Sequence, residues 1–219
     1  GANGNLTRYS TYSQGIQQLE SVYREPGESG ISHAMNKLFD AFSGLSSNPN
    51  DPTARTTVRN AADVFAQRVR TAYAEMSAMD EQVNAEIQNT FTQINQIGQQ
   101  IATLNSQIRA ATSSGGSPND LLDQRDMLLR DLSNLSNVTT SRQPDGTVNV
   151  FLSNFPLVTN DHFRSFPTTF DAATMTVSDG STTYPVRGGV LMGQFQTLNR
   201  IAQSQAELDT LANNIRTQF

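Results

Sequence analysis

After Pro52 this chain contains no proline until Pro118, and the stretch between them constrains the fold most. In its later part Ile87, Ile94, Ile101 and Ile108 recur every seventh residue. Thr90, Ile97, Leu104 and Ala111 hold the second position of the same repeat, and Phe91 widens the stripe. A seven-residue apolar repeat places these side chains along one side of an α-helix. Val69, Tyr73, Met76 and Val83 extend the register upstream, with Asp80 interrupting it. A helix of about 60 residues, from Pro52 to about Thr112, is about 90 Å long. So long a stripe must be covered along its length. An antiparallel bundle, made by folding later segments back along the rod, does this within one chain and is preferred over an obligate parallel coiled coil.

The flanking segments supply the material for such a bundle. Tyr9, Tyr12, Ile16, Leu19 and Tyr23 are spaced for a helix over Leu6 to Arg24, ended by Glu25-Pro26-Gly27. Ile31, Met35, Leu38, Phe42 and Leu45 define a second, from Ser29 or Gly30 to Leu45. Asp51 is placed to cap the long helix, with Pro52 as its first residue, where the missing N–H is harmless. After Gly115-Gly116 the chain reverses. Ser117 is the expected N-cap and Pro118 the first residue of a helix with Leu121, Leu128, Leu132 and Leu135 on one face. The last helix is expected from Gly193 to Phe219. Its pattern still runs at Phe219, which suggests a piece of a longer protein.

At Asn137 the periodicity changes from helical to alternating. Val138 to Arg142 and Thr147 to Leu152, joined at Asp145-Gly146, read as a hairpin. Met175 and Val177, the turn Ser178-Asp179-Gly180, and Thr182 to Val186 read as another, and Gly188-Gly189 closes the region. The expected fold is therefore mainly α with a small β part (α+β). It is an elongated antiparallel helical bundle, residues 1–136 with 188–219, carrying a small β-hairpin-rich insert at 137–187.

Composition narrows the function. The formal net charge is −5 and the only lysine is Lys37, which argues against nucleic acid and anionic membranes as partners. No apolar run reaches the roughly 20 residues of a membrane-spanning helix, and Gly1 to Tyr12 lacks the apolar core of a signal peptide. With no cysteine there is no disulfide, thiolate nucleophile or cysteine-bound zinc. His33 and His162 fall in no metal-binding or catalytic spacing. No catalytic, cofactor or metal residue is assigned, and a cation at Asn160-Asp161 or Asp171 would be accidental.

The densest charge cluster, GGSPNDLLDQRDMLLRDLS from Gly115 to Ser133, has a structural explanation. Asp120 and Asp123 sit in the first turns of the helix, where its dipole favours negative charge. Arg130 follows Asp126 by four residues, a spacing suited to an ion pair. Arg125 departs from this pattern because it lies between Leu121 and Leu128 on the apolar stripe. Its stem can pack there while the guanidinium reaches an acceptor on a neighbouring helix. Asp120, Asp123 and Asp126 are expected to face solvent or partner helices, with no cleft among them.

The same segment carries a resemblance. Pro118-Asn119-Asp120-Leu121-Leu122-Asp123-Gln124-Arg125-Asp126 resembles the signature of the flagellar hook-associated protein 1 family, whose members form the hook–filament junction. In that family the signature follows a long helix ending in an LN-x-QI sequence, here Leu104-Asn105-Ser106-Gln107-Ile108, and a glycine turn, here Gly115-Gly116. Asp145-Gly146-Thr147-Val148-Asn149-Val150, then Pro156-Leu157-Val158, resemble its next turn and strands. Gly188-Gly189-Val190-Leu191-Met192-Gly193 resembles the return into its last helix. Upstream, Phe39 to Pro49 followed by Ala54-Arg55 is similar to its first helix and loop. Phe155 stands where relatives often have glycine, and Asp161 to Asp171 has no evident counterpart.

The resemblance implies a non-enzymatic structural subunit of the bacterial flagellum, outside the cell and exported without a cleaved signal peptide. It implies assembly with copies of itself, with hook protein and with another hook-associated protein. Terminal segments absent from this chain would carry the export signal and the chaperone-binding region, so the chain alone is expected to be monomeric. No cofactor is implied. Two alternatives stand beside it: a related axial protein (flagellin or hook-associated protein 3), and a secreted binding module or enzyme with its site in the β insert.

Overall fold

The computed structural model describes residues 2–25 and 27–218, so Pro26 of the first expected turn and Phe219 of the last helix lie outside the described residues. In chain order the helices are α1 (Ala2–Tyr23), α2 (Ile31–Ser47), α3 (Pro52–Ser113), α4 (Asn119–Leu135) and α5 (Gly189–Gln218). Seven short strands lie between α4 and α5 among the described residues. The chain is mainly helical with a small antiparallel β part, and α3 runs for 62 residues. It divides into two compact units, residues 1–14 with 83–199 and residues 15–82 with 200–219, so α1, α3 and α5 each contribute to both.

The unit formed by 15–82 and 200–219 has only helices as regular elements among its described residues. Leu19, Leu38, Phe65, Ala72, Met76 and Leu208 are buried at its centre. Gly30 precedes α2 and has no side chain to cap it. Instead Glu25 accepts the Ser32 backbone N–H at 2.8 Å, satisfying one of the free donors of the first turn. Asp51 accepts the Thr53 N–H at 2.8 Å at the start of α3. Arg24 ends α1 with a left-handed backbone (φ 56°) and pairs with Glu75 of α3 at 2.7 Å. From α5, Gln205 donates to Ser77 of α3 at 3.2 Å.

In the other unit the main isoleucine stripe is fully enclosed: Ile87, Ile94, Ile101 and Ile108 are at most 1% exposed. The second repeat position departs from expectation, because Thr90 and Leu104 are buried whereas Ile97 and Ala111 are only half-buried. An α-helix has 3.6 residues per turn, so a strict seven-residue seam drifts unless a supercoiled partner holds it. Here Arg125 of α4 reaches Asn105, Gln194 of α5 reaches Thr90, and Phe163 and Phe166 of the β segment meet Gly98 and Phe91 of α3. At Gly98 the β segment comes so close that an added Cβ would lie 2.8 Å from the Phe163 ring and 3.1 Å from Leu157. Phe91 meets Phe166 and Phe170 with ring centroids 5.9 Å apart, and Phe170 stacks on Phe195 of α5 at 5.0 Å.

The strands form two antiparallel sheets. The first has β1 (Val138–Arg142), β2 (Val148–Leu152), β3 (Phe155–Thr159) and β4 (His162–Phe163) in chain order. The second has β5 (Thr169–Asp171), β6 (Thr176–Ser178) and β7 (Thr183–Pro185). Both expected hairpins are present, β1–β2 and β6–β7. Asp161 to Asp171 supplies β4, which closes the first sheet, and β5, which opens the second. β4 and β5, of two and three residues, show no legible alternation, and unlike the equally short β6 and β7 they flank no Asp-Gly turn. Phe155 is fully buried and simply begins β3, while Ser153 in the preceding loop takes the left-handed conformation at φ 52°. The β2–β3 register shifts between Val150 and Phe151, and the irregularity accommodates Pro156 in a paired strand.

Two helix starts differ from expectation. The N-cap of α4 is Pro118, with ψ 47°, and no side chain caps it. Ser117 is therefore not the cap; its hydroxyl lies 3.2 Å from the Asn119 side-chain oxygen instead. Pro118 has a near-helical φ, but its ψ is not helical, so the first turn begins at Asn119. At the other end, α5 begins at Gly189 rather than Gly193. Gly188 and Gly189 both have positive φ, and a Cβ on Gly189 would lie 2.4 Å from the backbone at Leu135 and Ser136. Only glycine turns the chain into the helix that tightly.

Candidate functional site

The signature segment lies on α4 and presents two different faces. Asn119, Asp120, Asp123 and Gln124 are exposed, while Pro118, Leu121, Leu122 and Asp126 are half-buried. Arg125 is only 3% exposed. No ion pair joins Asp126 to Arg130 among the described residues, so that expected contact is not made. Among the described residues no three acidic or histidine side chains converge as a cation cluster. A groove of about 430 Å³ runs beside this face between α3 and α4, lined by Leu104 and Gln107 opposite Gln124, Met127 and Leu128. The aspartates do not line it.

Arg125 is the centre of a buried polar cluster. Its Nη1 donates to Asn105 Oδ1 on α3 at 3.0 Å and to the Gly146 carbonyl in the β1–β2 turn at 2.8 Å. Asn105 is wholly buried and uses both ends of its amide. Its Oδ1 also accepts the Val148 N–H at 3.2 Å. Its Nδ2 donates to the Val148 carbonyl at 2.8 Å and to the Asn160 carbonyl. One asparagine and one arginine thus join α3, α4, the β1–β2 hairpin and the turn after β3.

The surrounding turns are fixed by their own polar contacts. Gly146 has φ 84°, and Asp145 accepts the Thr147 N–H at 3.0 Å and its hydroxyl at 2.7 Å. Those bonds hold the Asp145 carboxyl below the usual range. Asp161, beyond β3, pairs with Arg109 of α3 and approaches His162 Nδ1 at 3.2 Å. The Arg109 hydrogen bond lowers the Asp161 pKa and raises that of Arg109. Asp171 binds its own turn through Thr174 and Ala173, so neither carboxylate is arranged for a cation.

Burial pushes the Arg125 pKa down, opposed by Asp126 and reinforced by Arg142, but a guanidinium starts so high that it stays charged. Among the described residues no carboxylate pairs with it, and its buried Nε has no hydrogen-bond partner. The cluster therefore holds a full charge on neutral acceptors. A slip of α4 along α3 would separate Arg125 from Asn105 and orphan polar groups in a dry interior, a cost of about 1–3 kcal/mol each. The cluster is suited to fixing register. It contains no nucleophile and no acid–base pair.

The expectation that Arg125 reaches a neighbouring helix holds, since Asn105 lies on α3. The role of Asn105 was missed, although it falls inside the Leu104-Asn105-Ser106-Gln107-Ile108 motif. The available signal was an asparagine on the flank of an isoleucine stripe, one turn from Ile101. The two most distinctive sequence motifs thus meet through Asn105 and Arg125.

Comparison with known proteins gives the same reading. The family described as the flagellar hook-associated protein FlgK helical domain matches residues 16–219. The chain belongs to that family. Flagellar hook-associated protein 1 of Salmonella typhimurium is 34% identical over 155 residues, covering 70% of this chain and 27% of that protein. Its counterpart in Escherichia coli K12 is 32% identical over 183 residues, covering 81% of this chain and 32% of that protein. The solved structure of the flagellar hook junction protein FlgK from Burkholderia pseudomallei superposes with TM-score 0.70 at 30% identity, covering 87% of this chain. The chain spans 36% of that FlgK chain. The FlgK helical domain is thus the frame for Asn105 and Arg125, and flagellin and hook-associated protein 3 are not the favoured readings.

Proposed function

We propose that this chain is the helical part of a subunit that joins the flagellar hook to the filament. Its work is mechanical and it catalyses no reaction. Copies of it pack side by side, with hook protein on one side and another hook-associated protein on the other, outside the cell. Export proceeds without a cleaved signal peptide, and the export signal and chaperone-binding region lie in segments beyond this chain. The helical part, 1–136 with 188–219, supplies the lateral faces and 137–187 forms the insert.

The observation that carries this reading is the meeting of the two family motifs at Asn105 and Arg125, within a match to the FlgK helical domain over residues 16–219. A polar cluster that fixes register without offering a reactive group suits a load-bearing part. The test is deletion of the gene that encodes the protein. Cells are expected to make hooks but to shed filament subunits into the medium, and the intact gene should restore attachment. A deletion strain that keeps its filaments and swims normally would overturn the proposal.

A further inference from the structure

A second polar site lies away from Asn105 and Arg125. A cavity of about 380 Å³ is lined by Arg8 of α1, Arg187 and Gly188 ahead of α5, and Asn5, Ser136 and Asn137. No acidic side chain lines it. Arg24, Arg109, Arg164 and Arg200 each pair with a carboxylate. Arg8 and Arg187 do not, among the described residues. The Arg8 Nε is buried without a hydrogen-bond partner, and the guanidinium carbon lies 4.3 Å from the centre of the Tyr9 ring.

The backbone supplies smaller charges at the same place. The 30-residue helix α5 begins beside Gly188 and has no acidic residue in its first turn. Its N-terminus contributes roughly half a positive charge, which the carboxyl end of α4 at Ser136 roughly cancels. Two whole guanidinium charges remain, with amide and hydroxyl donors beside them. We infer that the cavity is a binding site for a small dianionic oxyanion of the phosphate or sulfate class.

Guanidinium forks match tetrahedral oxyanions through paired N–H donors, and two cations favour a dianion over a single carboxylate. The occupant bridges α1, the end of α4 and the start of α5. By binding only the folded chain it stabilises that arrangement.

The test measures inorganic phosphate binding to the protein by ³¹P NMR titration, with melting curves in phosphate, sulfate, acetate and chloride at matched ionic strength. Phosphate and sulfate should raise the melting temperature above chloride, and acetate should not. Arg187→Gln changes an exposed side chain and should weaken phosphate binding about tenfold or more, as expected when a charge-assisted contact is lost. Arg8→Lys should retain part of the affinity and Arg8→Gln lose it. If Arg8→Gln fails to fold, Arg187→Gln alone decides. Arg59→Gln, on an exposed arginine of the other unit that does not line the cavity, should change nothing. Equal melting temperatures in phosphate and chloride, undiminished binding by Arg187→Gln, or an acetate effect equal to that of phosphate would each overturn the assignment.

Discussion

Replacing Arg125 with alanine tests whether the buried cluster holds the fold. The change removes the donors at 3.0 Å to Asn105 and 2.8 Å to Gly146. Hydrogen bonds from a charged group contribute about 1.5–3 kcal/mol each. Lost packing of the stem adds to the effect, and relief from burying a guanidinium offsets part of it. The expected net loss is about 3 kcal/mol. A chain of this size melts about 2–4 °C lower per kcal/mol, so thermal denaturation followed by circular dichroism should show a drop of about 6–12 °C. Arg125→Met keeps the stem and loses only the donors, so its drop should be about half as large. Asp123→Asn alters an exposed carboxylate on the same helix and should stay within about 0.5 kcal/mol of the parent. A double-mutant cycle with Asn105→Ala should give a coupling of about 1–2 kcal/mol. If Arg125→Ala and Arg125→Met melt with Asp123→Asn, the register role of Arg125 is refuted.

Asn105→Leu should destabilise more than Arg125→Met, because it orphans the Val148 N–H and carbonyl; hydrogen exchange should show Val148 losing protection first. Gly98→Leu should cost about 1–3 kcal/mol by overpacking against Phe163 and Leu157, read as a lower urea midpoint. Gly98→Ala should change little, since a gain of about 1 kcal/mol in helix propensity opposes the displaced ring. Asp179 accepts the Thr182 and Ser181 N–H groups at 2.8 and 3.0 Å and pairs with Arg164 at 2.8 Å. Led by the backbone bonds, these contacts hold its carboxyl well below the usual range. Its stabilising effect is therefore complete above about pH 4 and fades as pH falls through the lower folded-state value. Melting curves across the acid range should show that Asp179→Asn flattens this limb; an unchanged acid limb would count against the assignment.

Much of the helical layout was readable because its signals are local. Proline-free length, the isoleucine repeat and glycine turns specified α3, the reversal after it and the return to helix in α5. The Asp145-Gly146 and Asp179-Gly180 turns marked two hairpins for the same reason: each turn is stabilised by its own few residues. Strands β4 and β5 were not readable, because two or three residues become a strand only when a neighbour pairs with them. Ser117 illustrates the limit at a helix end. Its residue type suits a cap, yet the backbone at Pro118 decided where the helix begins.

The sequence alone determined which residues are apolar and at what period, and the PNDLLDQRD string carried the family. It marked Arg125 as the misplaced charge on an otherwise apolar stripe. It did not show that Asn105 would meet Arg125, or that the Gly146 carbonyl and Val148 would complete the cluster. Nor did it show that Arg8 and Arg187, far apart in the chain, would line one cavity. Periodicity reports the face on which a side chain lies, but not what the rest of the chain brings to that face. The buried polar contacts here join residues 20 or more positions apart, and only packing into the folded unit brings them together.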